Sequence, residues 1–336
     1  MTVSDLLNRL IMAVLTLMGV AVIVFCLLRI VPGDPVAMMI SPSATPADIA
    51  ALRAHYGLDL GLAQQFAIWF GDVLKGDFGT SISQRRDVLE LIGGRLPATL
   101  ELAFAALVFG VLTGGMIAVL GALARGTKLD PALDFINGLF LAVPDFVWAL
   151  ALVLLLGVFW PVFPLSGRID PGLTTDFHTD FYLIESLVTF KFPAFADILA
   201  HMVMPMLALG LPLAAIVVRT LKEALAEAMV QDYVLLARLK GMSPLRLVLQ
   251  EALRNAVGPT LTLTGVQFTF MIGGTVIVER IFSYPGLGNM AIDAVINRDL
   301  PLIQGIVLTF GAIFILVNIL VDLIAAWLNP RSAAHG

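Results

Sequence analysis

Residues 219–255 read RTLKEALAEAMVQDYVLLARLKGMSPLRLVLQEALRN and lie between two apolar runs, Ile198 to Val218 and Ala256 to Val278. The stretch holds six of the chain's twenty Lys and Arg. Leu221, Leu225, Met229, Tyr233, Leu236 and Leu239 recur at helical spacing against Lys222, Glu223, Glu227, Gln231 and Arg238, which predicts one amphipathic helix. A glycine just past the last periodic residue closes a helix in the left-handed conformation, so Gly241 is read as its stop, and Ser243-Pro244 as the N-cap and first position of a second helix. In that helix Leu245, Val248, Leu249, Ala252 and Leu253 form one stripe, opposite Arg246, Gln250, Glu251, Arg254 and Asn255. A chain that concentrates charge on a helix-turn-helix loop between membrane-length runs presents that loop for docking.

With 59% hydrophobic and 13% charged residues over 336 positions, the chain is too apolar for a soluble domain of its size. Six runs have the length and low charge of membrane helices: Leu10 to Ile30, Leu96 to Ala124, Phe135 to Phe163, Ile198 to Val218, Ala256 to Val278 and Leu302 to Leu328. The first lacks a small-x-small cleavage pattern and is read as an anchor, not a signal peptide. With a cytoplasmic N-terminus, the inside segments 1–9, 125–134, 219–255 and 329–336 carry ten Lys and Arg, against four in the short outside loops 164–197 and 279–301. The basic-residue bias therefore places both termini and the loop 219–255 in the cytoplasm. No basic patch of the kind nucleic acid requires is present, and Cys26, the single cysteine, allows no intrachain disulfide.

The expected organisation is an N-terminal transmembrane helix (1–31), a periplasmic segment (32–95), a five-helix transmembrane domain (96–328) containing the loop 219–255, and a cytoplasmic tail (329–336). Short helical patterns occupy Ala47 to His55 and Leu62 to Leu74. Tyr56, Phe66, Trp69, Phe70, Leu74 and Phe78 supply enough apolar surface for a small cap. The loop Leu165 to Asp197 is expected to be irregular or briefly helical.

Enzymatic constellations are missing from the sequence. There is no G-x-x-x-x-G-K-[ST] phosphate loop, so nucleotide hydrolysis is not expected of this chain, and H-E-x-x-H, G-x-S-x-G and Cys/His clusters are also absent. Ionisable and polar groups at membrane depth are functional candidates because their desolvation is costly. Asp145 follows Pro144 inside the third run, where proline loosens a helix, and is either a pathway residue or a group satisfied by a neighbouring helix. Glu101 begins the second run, and Glu279 beside Arg280 is read as a surface pair. Asn318 and Asp322 share a helix face as a packing pair. The fifth run interleaves Thr262, Thr264, Gln267, Thr269 and Thr275 with Gly265, Gly273 and Gly274, a mixture that suits a closely packed helix lining an aqueous path. The pathway candidates are Asp145, Thr264, Gln267 and Thr269; the two adjacent glycines are read as a close helix contact.

The loop Tyr233-Val-Leu-Leu-Ala-Arg-Leu-Lys-Gly-Met-Ser-Pro244, with Ala252-Leu-Arg-Asn-Ala256 and Pro259, resembles the cytoplasmic coupling loop of ABC-importer permeases of the dipeptide, oligopeptide and nickel branch. Agreement extends along the chain: Arg29 and Pro32-Gly-Asp-Pro35, Tyr56-Gly-Leu-Asp59, Gly76-Asp-Phe-Gly-Thr-Ser81, Arg95-Leu-Pro-Ala-Thr-Leu-Glu101, Ile281-Phe-Ser-Tyr-Pro-Gly-Leu-Gly288, Asn318 and Asp322, and Asn329-Pro-Arg331. The PGDP and GDFGTS elements resemble the first of the two paired permeases. Leu236 stands where the family commonly has Thr, Glu251 where it has His, and Asn329 where it has Asp.

The resemblance implies an all-α polytopic fold with six transmembrane helices, that of the ABC importer type I permease. It implies an ATPase-coupling loop using Ala237, Lys240, Gly241, Ser243, Pro244, Leu245, Arg254 and Asn255. Implied partners are a homologous second permease, two cytoplasmic ATPase subunits, a periplasmic substrate-binding protein and membrane lipid. The chain itself is expected to bind no cofactor and no metal, with ATP and Mg²⁺ held by the partner subunits. Small peptides are the first substrate expectation and nickel or another metal complex the second. An ion-coupled secondary transporter is the competing class: it would concentrate ion ligands near the bilayer midplane on broken helices. A membrane-embedded enzyme is a poorer third, since no catalytic set is visible.

Overall fold

Long apolar runs can satisfy their backbone in hydrocarbon only as helices or closed barrels, and the computed structural model of the chain is helical. It describes residues 3–30, 45, 59–173 and 176–328. The helices are α1 Val3–Ile30, α2 Leu62–Leu74, α3 Val88–Leu123, α4 Leu129–Ala142, α5 Asp145–Leu152, α6 Tyr182–Val188, α7 Phe192–Ala228, α8 Asp232–Leu239, α9 Pro244–Arg246, α10 Leu253–Ile281, α11 Leu287–Ile296 and α12 Leu300–Leu328. Wide π-helical segments follow α5 (Val153–Phe159) and α9 (Leu247–Ala252). Among the described residues five helices are long and apolar enough to cross a membrane; α4 and the helix from Asp145 to Phe159 make a sixth if the pair is one span.

That pair corrects the third span read from sequence. Phe135 to Phe163 is not one helix: its two halves meet at 100°. Val143 is extended (φ −97°, ψ 120°) and Pro144 (ψ 153°) is the N-cap of α5, because a residue before proline is pushed out of the helical region. The other spans keep their places and grow at their ends. Expectations that fall on Ala47 to His55, Tyr56, the PGDP stretch and the tail 329–336 lie outside the described residues.

The chain divides into two compact units. One comprises Thr2–Leu96 and Met290–Ile315. Here α2 forms as expected and stacks its aromatic face on α1: Phe66 lies 5.3 Å from Phe25 edge to face and 5.6 Å from Phe70 in parallel. Leu74, expected in this cap, is 72% exposed instead. Asp299 is fully buried and receives the hydroxyls of Ser81 (2.6 Å) and Ser83 (2.7 Å) together with the Ser83 amide (2.9 Å). Burial pushes its carboxyl up, but these hydrogen bonds to the charged form outweigh it and leave the group below the usual carboxylate range.

The other unit comprises Pro97–Asn289 and Leu316–Gly336, with Met1. Its axis is α7, along which α3 and α10 pack. The α3–α7 seam needs glycine. A Cβ on Gly114 would stand 2.6 Å from the Ala214 carbonyl oxygen, and one on Gly110 3.1 Å from the Gly210 carbonyl, so the G-x-x-x-G spacing in α3 lets the backbones approach. At one end of the unit Arg168 is buried and donates to Glu101 and to the Asp180 carbonyl, each at 2.7 Å, while its guanidinium sits 4.1 Å from the centre of the Tyr182 ring. Glu279 is fully buried, which corrects the expected surface pair with Arg280. Its carboxylate accepts from Thr99 (2.7 Å) and the Asn289 amide (3.0 Å), and Arg280 reaches Asn289 Oδ1 at 3.0 Å. The turn Phe282–Gly288 wraps the carboxylate, since side chains at Gly286 or Gly288 would strike it.

Candidate coupling surface and translocation cavity

The charged loop is built differently from its periodicity. The expected single helix from Leu221 to Leu239 is two helices, because α7 ends at Ala228 and Gln231 is extended (ψ 151°), starting α8 afresh with Asp232 in its first turn. An acidic group there and Arg238 in the last turn both complement the helix dipole. The break rotates the stripe. Leu221 and Leu225 are buried with Ala118, Ala228, Val248, Ala252 and Ala256 as predicted. On α8, however, the buried residues are Val234 and Ala237, against Leu247, Met229 and Met242. Tyr233, Leu235, Leu236 and Leu239 point out, at 38, 51, 54 and 78% exposure.

Gly241 closes α8 as its position predicts. Its φ of +84° is left-handed; its amide donates to Arg238 O at 3.0 Å and the Met242 amide to Ala237 O at 3.3 Å. These are the two bonds of a Schellman cap, and Met242 packing on the Ala237 cluster is its accompanying apolar contact. Ser243 is extended (ψ 152°) and Pro244 is the first helical residue. The second loop helix then differs from expectation. It does not end before the fifth span but runs through the π segment Leu247–Ala252 into α10, one helical stretch from Pro244 to Ile281. The wide turn adds a residue, so the apolar stripe slips and Leu245 and Leu249 are exposed while Leu247 and Val248 are buried. Of the coupling residues read from sequence, Lys240, Gly241, Ser243, Pro244, Leu245, Arg254 and Asn255 are exposed, and Ala237 is a packing residue.

Beside this surface Lys222 Nζ bridges Asp130 and Asp134 of α4, the latter at 2.6 Å. Sequence reading placed Lys222 on a solvated face and missed both aspartates, whose spacing of four on one helix face was the available signal. The bridge ties α7 to the helix that leads into the Pro144 bend. Arg125, Arg219, Glu223 and Arg238 line the same recess.

A second cavity, of about 190 Å³, lies between α5, α7 and α10 and is lined by Asp145, Leu209, Pro212, Leu213, Ile216, Gln267, Phe270 and Met271. Two of the four pathway candidates, Asp145 and Gln267, thus meet although 122 positions separate them in the chain. The other two are not among the lining residues. Thr264 and Thr269 are buried and their hydroxyls bond to their own helix, to Thr260 O at 2.7 Å and Gly265 O at 3.0 Å. The paired glycines divide as well: a Cβ on Gly274 would stand 2.6 Å from Asp145 Oδ2, whereas one on Gly273 meets nothing within 4 Å. Gly265 instead makes room for Val321.

Residues 76–333 match the family described as binding-protein-dependent transport system inner membrane component, and residues 2–103 its N-terminal companion. The chain belongs to this family. It is 36% identical to the di/tripeptide transport system permease protein DppB of Pseudomonas aeruginosa, with 98% of each chain covered. It is equally similar to the glutathione transport system permease protein GsiC of Salmonella choleraesuis, covering 96% of this chain and 97% of that one. The fold is also that of the MetNI methionine ABC transporter in an inward-facing form, at 15% identity and a TM-score of 0.54, covering 71% of this chain and 96% of that one. The chain is therefore an all-α, multi-pass inner-membrane permease of the ABC importer type I fold, working with a substrate-binding protein. The secondary-transporter reading is displaced.

Proposed function

We propose that this chain is the first of two homologous permeases of a small-peptide importer and that α8 with its Gly241 turn is the docking element for one of two cytoplasmic ATPases. The observation that carries the reading is the outward apolar face of α8, Tyr233, Leu235, Leu236 and Leu239, exposed beside Leu245. Such a patch on a charged loop is the signature of a protein partner. In this reading the loop, both termini and the recess around Lys222 face the cytoplasm, residues 32–95 form the periplasmic segment, 96–328 the five-helix domain and 329–336 the tail. ATP and Mg²⁺ are bound and hydrolysed in the partners, and this chain binds no cofactor. Lipid covers the apolar outer faces of the spans. Peptides are favoured over nickel complexes because the relatives at 36% identity are named for di/tripeptide and glutathione transport.

Mechanically, nucleotide binding draws the ATPases together and moves α8. The Pro244–Ile281 helix is continuous, so displacement at the turn is passed along α10 to Gln267 as a rigid lever. Replacing Gly241 tests this. At φ +84° a β-branched residue costs about 1–2 kcal/mol, enough to redirect α9 but not to unfold the membrane domain. Gly241→Val is expected to insert normally and keep ATP hydrolysis while peptide uptake falls at least about tenfold, the factor that 1.4 kcal/mol represents. Wild-type uptake by a normally inserted variant would show that the turn does not transmit motion.

A further inference from the structure

The cavity between α5, α7 and α10 holds one charged side chain among mostly apolar walls. Asp145 is the first residue of α5, and its Oδ1 is engaged by the Phe146 amide at 2.8 Å. Oδ2 makes no hydrogen bond to any described residue and lies where only a glycine, Gly274, leaves it room. Gln267 offers an amide and Phe270 an aromatic ring to the same space, with Leu209, Leu213 and Met271 completing it. Asp145 is half-buried, and a carboxylate with no counter-charge among the residues lining a mostly apolar recess favours a cation as its partner.

The surroundings select its kind. A hard metal ion takes six or more oxygens, and this cavity supplies one carboxylate and one amide. Apolar walls with an aromatic ring suit an organic ammonium group, which the ring can also attract. The volume, about 190 Å³, is below the roughly 300–1,000 Å³ of pockets for whole drug-sized ligands, so it fits the end of a small molecule.

We propose that this cavity is a transit site for the free α-ammonium group of a peptide, with Asp145 as its counter-ion and Gln267 as a partner for the first peptide unit. This rests on the peptide-importer reading. A peptide passing amino end first would exchange water for Asp145 and move on when α10 shifts Gln267 and Gly274 relative to α5.

The test labels a thiol in the cavity and needs neither ATPase nor binding protein, so it stands apart from the coupling assignment. In the purified Cys26→Ala, Gln267→Cys chain with its partner permease, the reaction rate is measured with cationic trimethylammonium-ethyl methanethiosulfonate and with its anionic sulfonatoethyl analogue, each divided by the same reagent's rate with a small free thiol in solution. Relative to those reference rates the cationic reagent is expected to react about tenfold faster, the direction a nearby carboxylate dictates. Asp145→Asn should bring the two rates within about twofold. Millimolar Ala-Ala should slow the cationic reaction several-fold, and N-acetyl-Ala-Ala should not. Should Asp145→Asn fail to assemble, the rate ratio and peptide protection in the parent decide alone. Equal rates for the two reagents, equal protection by both peptides, protection by neither, or an inert thiol would each overturn the proposal.

Discussion

Arg168→Ala is expected to be the most damaging single substitution in the chain, lowering stability by about 3–5 kcal/mol, because it strands a charge in a buried pair. Glu101 would keep the Ile184 amide at 3.1 Å but lose the guanidinium, and the Asp180 carbonyl would lose its donor. The stacking of Arg168 on Tyr182 would go as well. Thermal unfolding of the detergent-solubilised protein measures the loss. The double variant Arg168→Met, Glu101→Leu should recover much of it, since an apolar pair of similar volume removes the uncompensated charge. A double variant as unstable as Arg168→Ala would show that the damage is not the stranded carboxylate.

Leu236→Asp combined with Leu239→Asp should instead leave the fold intact and abolish partner binding. Both side chains are more than half exposed, so the charges cost the isolated chain little. In an apolar interface each is expected to cost about 2 kcal/mol or more, which together weakens ATPase association about a thousandfold. Co-purification of ATPase with the tagged permease from its own membrane reads this directly. Val234→Ala provides the contrast: it opens a small void in a cluster facing away from the docking surface and should reduce stability with little effect on association.

Hydropathy made the spans legible because twenty-residue apolar runs have few alternatives, and the Gly241 turn was legible because its chemistry is local. What escaped was set by contacts between distant segments or by small changes of helical pitch. Pro144 announced a weak point, but a bend of 100° depends on how α4 and α5 each pack on α7. The break at Val230 and Gln231 carries no glycine or proline, and without it the leucines of α8 were assigned to the buried side. The π segment Leu247–Ala252 has no compositional mark, yet it decides which of Leu245, Leu247 and Leu249 face outward. Arg168 was counted only for topology, since nothing local reveals its partner 67 residues away. In the cavity, Asp145 and Gln267 stood out because a charge and an amide in apolar sequence are conspicuous. Thr264 and Thr269 stood out for the same reason, but a helical threonine can satisfy itself on the preceding turn.

The central claim is that α8 meets an ATPase. A photoactivatable cross-linker attached through Leu239→Cys in the Cys26→Ala background, irradiated in native membranes, reads it most directly. The account predicts a cross-linked product containing an ATP-binding-cassette subunit, absent when the same linker is carried by Val188→Cys on α6, a 68% exposed position outside the loop. Equal capture of the ATPase from both positions, or capture from Val188→Cys alone, would contradict it.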